Sequence, residues 1–180
     1  MASRVKYRDV VREIGLKQYG FLTPKDAVAA GVPAVELPKL AARGGLENVA
    51  YGLYRVPNAP ATRYDRFAEA LLRVGDGAFL HGESVLALFG LADANPRHVY
   101  VTTTRRVRRT MPDFVKLTHA KYEVETTRYE GLECQPVADA FAECHGRVDP
   151  EHLLAAAEQA HASGKLRTTA WEKLKKELRP

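Results

Sequence analysis

The chain has 180 residues, 46% of them hydrophobic and 27% charged, with a formal net charge of +5. That length holds one good core, or a small domain joined to a medium one, and the composition is that of an ordinary globular protein. No apolar run approaches the ~18 residues needed to cross a bilayer, and the N-terminus lacks the apolar centre of a signal peptide, so a cytoplasmic protein is expected.

Tyr7, Val10, Val11 and Ile14 recur at helical spacing and predict a first helix with one apolar face. The stretch from Gly20 to Val56 then reads as helix, turn, helix and hairpin. Thr23 can cap a helix that opens on Pro24 and carries Asp26 in its first turn, and Gly31 ends it. After Val32 and Pro33, the apolar positions Val35, Leu37, Leu40 and Ala41 mark a second helix, which exits at Gly44 and Gly45. Leu46 to Val49 and Leu53 to Val56 are short β-type runs around Ala50, Tyr51 and Gly52. This order predicts a winged helix-turn-helix. Pro57-Asn58-Ala59-Pro60 cannot continue a helix or a central strand and marks a linker at 58–61.

Beyond the linker, Tyr64, Phe67, Ala68 and Leu71 predict a helix that stops at Gly75-Asp76-Gly77, and Glu83 to Phe89 a compact helix closed by Gly90. Strands are expected at Ala78 to Leu80, Val99 to Thr103, Phe114 to Leu117, Tyr122 to Thr126 and Leu132 to Cys134. Helices return with Val137 and Phe141, then after Asp149-Pro150 with Leu153, Leu154 and Ala157, and last from Thr168 or Thr169 with Trp171, Leu174 and Leu178. The expected fold class is therefore α+β. Residues 1–57 form the winged helix-turn-helix domain, and residues 62–180 form a mixed α/β domain with a small sheet flanked by helices.

Charge is unevenly spread. Residues 1–57 hold nine Lys/Arg against five Asp/Glu, whereas residues 58–180 hold 18 against 17. Non-specific DNA affinity comes from counterions that Lys and Arg release at phosphates, so the surplus lies where a groove reader needs it. Lys25, Lys39, Arg43, Asn48 and Arg55 are the candidate DNA-binding residues. Arg105, Arg106, Arg108 and Arg109 form a possible second basic patch, suited to phosphate, carboxylate or open solvent.

A search for catalytic spacing finds little. There is no Gly-rich phosphate loop after a strand and no His-Glu-x-x-His, and Ser3, Ser84 and Ser163 lack a nucleophile elbow. Glu83 with Asp93, or Glu123 with Glu125 and Lys121, are conceivable nuclease carboxylates. On an alternating strand the second set would share one face, but it reads better as the wet face of an edge strand. His81, His98 and His119 have no evident partner in the sequence. Cys134 and Cys144, even with His145, make an incomplete zinc set and read as reduced thiols. No cofactor and no enzymatic activity are expected.

Gly20-Phe-Leu-Thr, Ala27 to Gly31, Leu37-Pro-Lys-Leu40 and Tyr51-Gly-Leu-Tyr-Arg-Val-Pro57 together resemble the N-terminal domain of AbiEi antitoxins, of bacterial type IV toxin-antitoxin systems. His81-Gly-Glu-Ser-Val-Leu-Ala-Leu-Phe-Gly-Leu91 and Val99-Tyr-Val-Thr extend the similarity over most of the chain. The resemblance implies a repressor that binds repeats in double-stranded DNA at its own promoter; cooperating monomers and a weak dimer are equally compatible with the sequence. It implies a second domain that counters a cognate nucleotidyltransferase toxin. By position, the reader would be Pro33 to Arg43 and the wing Leu46 to Arg55. Pro38 departs from the family pattern, where the helix runs uninterrupted. Some relatives carry a nuclease-like extension after the second domain, and its absence here adds to the expectation of a non-enzyme. A stand-alone winged-helix regulator or a protein-interaction module is the alternative, and a metal-dependent nuclease the more distant one.

Overall fold

The first apolar stripe becomes helix α1 (Tyr7–Lys17) in the computed structural model, which describes residues 6–178 apart from Asp93 and Asn95. The readings placed on Ser3 and Asp93 lie outside the described residues. After α1 come strand β1 (Phe21–Leu22), helices α2 (Pro24–Ala29) and α3 (Glu36–Ala42), strands β2 (Glu47–Ala50) and β3 (Leu53–Arg55), and helix α4 (Asp65–Val74). The three strands form one antiparallel sheet in the order β1-β3-β2, with Phe21 opposite Arg55 and Asn48 opposite Tyr54. Strand β1 is too short to announce itself, because two apolar residues carry no periodicity. Val11, Leu22, Ala27, Val32, Leu37, Leu46, Tyr54 and Val56 close around one another as the core of this part. Each element thus contributes the apolar positions that its own period brings to one side.

The chain divides into two compact units, Met1–Arg73 and Val74–Pro180. All but the last residue of α4 therefore belongs to the first unit, beyond the proline-rich segment at 58–61. Two contacts within that unit hold it. Arg55 donates to Asp65 at 3.2 Å, and Arg73 donates to the carbonyl oxygen of Val49 at 3.0 Å.

The second unit is built on a five-stranded mixed sheet in the order β6-β5-β4-β8-β7, from β4 (Phe79–Leu80), β5 (Val99–Thr103), β6 (Val115–His119), β7 (Thr127–Tyr129) and β8 (Leu132–Cys134). Pairs β5–β6 and β4–β8 are parallel; β4–β5 and β7–β8 are antiparallel. Helix α5 (Glu83–Phe89) lies against β5 and α6 (Val137–Cys144), and α7 (Pro150–Ala162) and α8 (Thr168–Leu178) pack on α6 and on each other. The overall class is α+β, with two small sheets and helices.

One predicted strand is corrected. Tyr122 to Thr126 is not a strand; the pairing strand is Thr127–Tyr129, because Glu130 and Gly131, both at positive φ, make the tight turn that folds it onto Leu132–Cys134. Residues 121–126 are exposed connection. Lys121, Glu123 and Glu125 consequently share no strand face, and the alternation that joined them as a nuclease set, or as the wet side of an edge strand, is absent.

Candidate nucleic-acid interface

Helix α2 is fixed at both ends by local chemistry. The Thr23 hydroxyl accepts the Asp26 N–H at 3.3 Å while Asp26 accepts from the Thr23 N–H at 2.8 Å, a capping box with Pro24 in the first helical position. At the other end Gly31 takes φ 79°, the Gly31 N–H reaches Val28 O and the Val32 N–H reaches Ala27 O at 2.9 Å. This glycine-ended closure turns buried Val32 back into the core and aims the chain into α3.

Helix α3 is two turns long, shorter than the roughly three turns that a groove-filling helix suggests. Pro38 does not break it. The helix begins at Glu36, so Pro38 falls in its first turn, where a backbone N–H has no intrahelical acceptor to lose. Leu37 is buried and anchors the helix, whereas Val35, Pro38, Lys39, Ala42 and Arg43 are exposed. Helix α3 packs against β2, and Tyr51, at the tip of the β2–β3 hairpin, is 90% exposed.

The predicted contact residues separate into two kinds. Lys25, Lys39, Arg43 and Asn48 are all exposed, on α2, on α3, at the C-terminal end of α3 and on β2. Lys39 donates to Glu36 at 2.8 Å, an exposed pair one turn apart that water and salt screen readily. Arg55 is different. Its guanidinium carbon lies 5.3 Å from the centre of the Phe21 ring and a terminal nitrogen reaches Asp65, so it ties the hairpin to α4. Asp65 is ten residues away across the proline-rich segment, which is why the sequence does not disclose the pair.

In the second unit, Arg105, Arg106, Arg108 and Arg109 are all exposed beyond the end of β5. The sheet and α6 also enclose a cleft of about 870 Å³, lined among others by His81, Tyr100, Thr118, Gln135, Glu143 and Arg147. Contrary to the sequence reading, His81 has partners. Its Nδ1 lies 2.7 Å from Glu143 Oε1 and its Nε2 lies 3.3 Å from the Thr118 hydroxyl, which is 2.7 Å from that of Thr102. The hydrogen bond from His81, opposed by burial and helped by charge, holds the Glu143 carboxyl below the usual range. Gln135 accepts the Gly82 N–H at 2.8 Å. These groups satisfy one another and join α6 to the strands, a bracing network across 62 residues of sequence.

Ser84 is fully buried and accepts the Tyr100 N–H at 2.7 Å, a bracing contact rather than a nucleophile's setting. Burial pushes the thiols of Cys134 and Cys144 up to about 11 and about 12, which leaves them protonated and unreactive near neutrality. Among the described residues no group of three or more His, Cys, Asp or Glu could hold a metal ion, and no helix is long and apolar enough to cross a membrane.

No family model and no curated protein matches the chain. Among solved structures it is similar to the RV2827C protein of Mycobacterium tuberculosis, at 16% identity and a TM-score of 0.38, over 95% of this chain and 72% of that one. A likeness at that score identifies neither fold family nor function.

Proposed function

We propose that residues 1–57 are a winged helix-turn-helix that reads double-stranded DNA through α3, with the β2–β3 hairpin as its wing, and that the protein is an AbiEi-type antitoxin. In this reading it represses its own operon by binding promoter repeats, and residues 62–180 counter a cognate nucleotidyltransferase toxin. The element order α1-β1-α2-α3-β2-β3 and the sheet order β1-β3-β2 support the first half. The observation that carries it is the asymmetry of α3: Leu37 is buried while Lys39, Ala42 and Arg43 stay exposed beside a charge surplus of +4 over residues 1–57. A helix whose outer face is cationic and small-residued can approach base edges and phosphates closely. The sequence resemblance supports the second half.

The test is a gel-shift titration of the full chain against the DNA upstream of its own reading frame, with excess unrelated duplex as competitor. A retarded band that survives the competitor supports the reading, and binding abolished by it contradicts sequence-specific repression. The antitoxin role requires a nucleotidyltransferase in the neighbouring reading frame, and co-expression with it is the test. Survival requires the protein if the role is right.

A further inference from the structure

Strand β5 ends at Thr103, and four arginines follow at 105, 106, 108 and 109. Like charges so close repel, so the fold must either hold them in place or release them to solvent. Two of them are held. The fully buried Thr103 hydroxyl accepts the Arg105 N–H at 3.1 Å and sets the direction in which the chain leaves the strand. Arg105 and Arg109 then lie over the Gly75-Asp76-Gly77 turn. The Arg105 Nε is 3.5 Å from where a Cβ on Gly77 would be, and an Arg109 terminal nitrogen is 3.4 Å from the same point on Gly75. Both guanidinium groups therefore lie within van der Waals contact distance of the turn. Val107 between them is half-buried.

Compensation is slight. Arg105 approaches Asp76 only to 3.8 Å, with both side chains more than half exposed. Among the described residues, Arg106, Arg108 and Arg109 enter no ion pair. An exposed set of guanidinium groups, two of them held, thus stands in a region that reaches 18 Lys/Arg against 17 Asp/Glu over residues 58–180 only with these four counted.

We propose that Arg105, Arg106, Arg108 and Arg109 form a binding site for the phosphate backbone of nucleic acid, distinct from the α3 reader and independent of it. Guanidinium forks match phosphate oxygens, and seating them there releases counterions. Five residues of extended chain span at most ~17 Å, and each DNA strand offers a phosphate every ~3.4 Å along the axis, so the patch meets several at once. The proposed contact is to phosphates, which set position and carry no sequence information. A phosphate backbone is favoured over an acidic protein surface because it repeats its charge at even spacing, as a run of four arginines in five positions does.

The experiment is fluorescence anisotropy of the full chain on a random-sequence duplex of roughly 30 base pairs across a KCl series. The triple variant R106Q/R108Q/R109Q should flatten the plot of log affinity against log salt by roughly two to three, at about 0.9 per phosphate contact. The R106K/R108K/R109K variant keeps the charges and should keep the slope, which separates lost charge from lost fold. K39Q/R43Q, tested alongside, removes the reader instead and should leave the contribution of the arginine patch in place. A wild-type slope in the triple Gln variant overturns the proposal while leaving the α3 reading intact. Loss of binding to a polyglutamate probe with duplex binding unchanged also overturns it, in favour of an acidic protein partner. A wild-type protein that binds no duplex at any salt overturns both.

Discussion

Arg55 on β3 and Asp65 on α4 are joined at 3.2 Å, with the guanidinium stacked near the ring of Phe21 on β1. The pair links the hairpin to a helix that follows the proline-rich segment, and at 33% exposure the arginine is only partly open to solvent. R55A should therefore lower stability by about 1 kcal/mol, the upper end for a screened pair plus the packing of its stem. Urea denaturation measures it. The same variant should leave the salt slope of DNA binding unaltered; a slope reduced by about 1 would put Arg55 back on the phosphate.

Gly15 sits in α1 against Val56 so closely that an added Cβ would collide with a Val56 methyl. Alanine in place of glycine ordinarily stabilises a helix by up to about 1 kcal/mol. Here the branched valine has little freedom to withdraw, and overpacking costs about 1–3 kcal/mol, so the collision wins. G15A is expected to melt below wild type, and V56A introduced into it to recover part of the difference.

The capping box of α2 gives a third expectation. T23A removes the hydroxyl that Asp26 N–H donates to and should cost about 1 kcal/mol in chemical denaturation. T23S, which keeps an acceptor at the same place, should cost less than half as much.

Glu143 predicts a pH dependence. Its folded-state carboxyl is held below the ordinary value of 4.5, first by the His81 hydrogen bond, so it binds a proton less readily folded than unfolded. Its stabilising contribution is complete above pH 4.5 and disappears as pH falls through the lowered value. Thermal melts of E143Q should begin lower at neutral pH and decline less steeply on acidification than wild type. Parallel curves for the two proteins would dismiss Glu143 as a source of acid sensitivity.

Legibility from the sequence followed the range of the interaction. The capped start of α2, its Gly31 end, the Tyr51-Gly52 turn and the Asp149 cap of α7 were readable because each is decided within a few residues. Strand β7 was misplaced by a few residues because the exposed, charged Lys121 to Glu125 run alternates like a strand without having one to pair with. Pro38, the departure from the family pattern, is harmless because α3 starts at Glu36 rather than at Pro33 and the proline falls in its first turn. Of the candidate site, the exposed cations of α3 were legible from charge and spacing, whereas the engagement of Arg55 and the His81–Glu143 network depend on partners that the chain fold alone brings near.

The contact we propose between the exposed cations of α3 and DNA is tested by the affinity of wild type and K39Q/R43Q for the upstream duplex across a salt series. The variant should bind more weakly, with a slope shallower by roughly two and folding unchanged by circular dichroism. Equal affinities and superimposable slopes would contradict it.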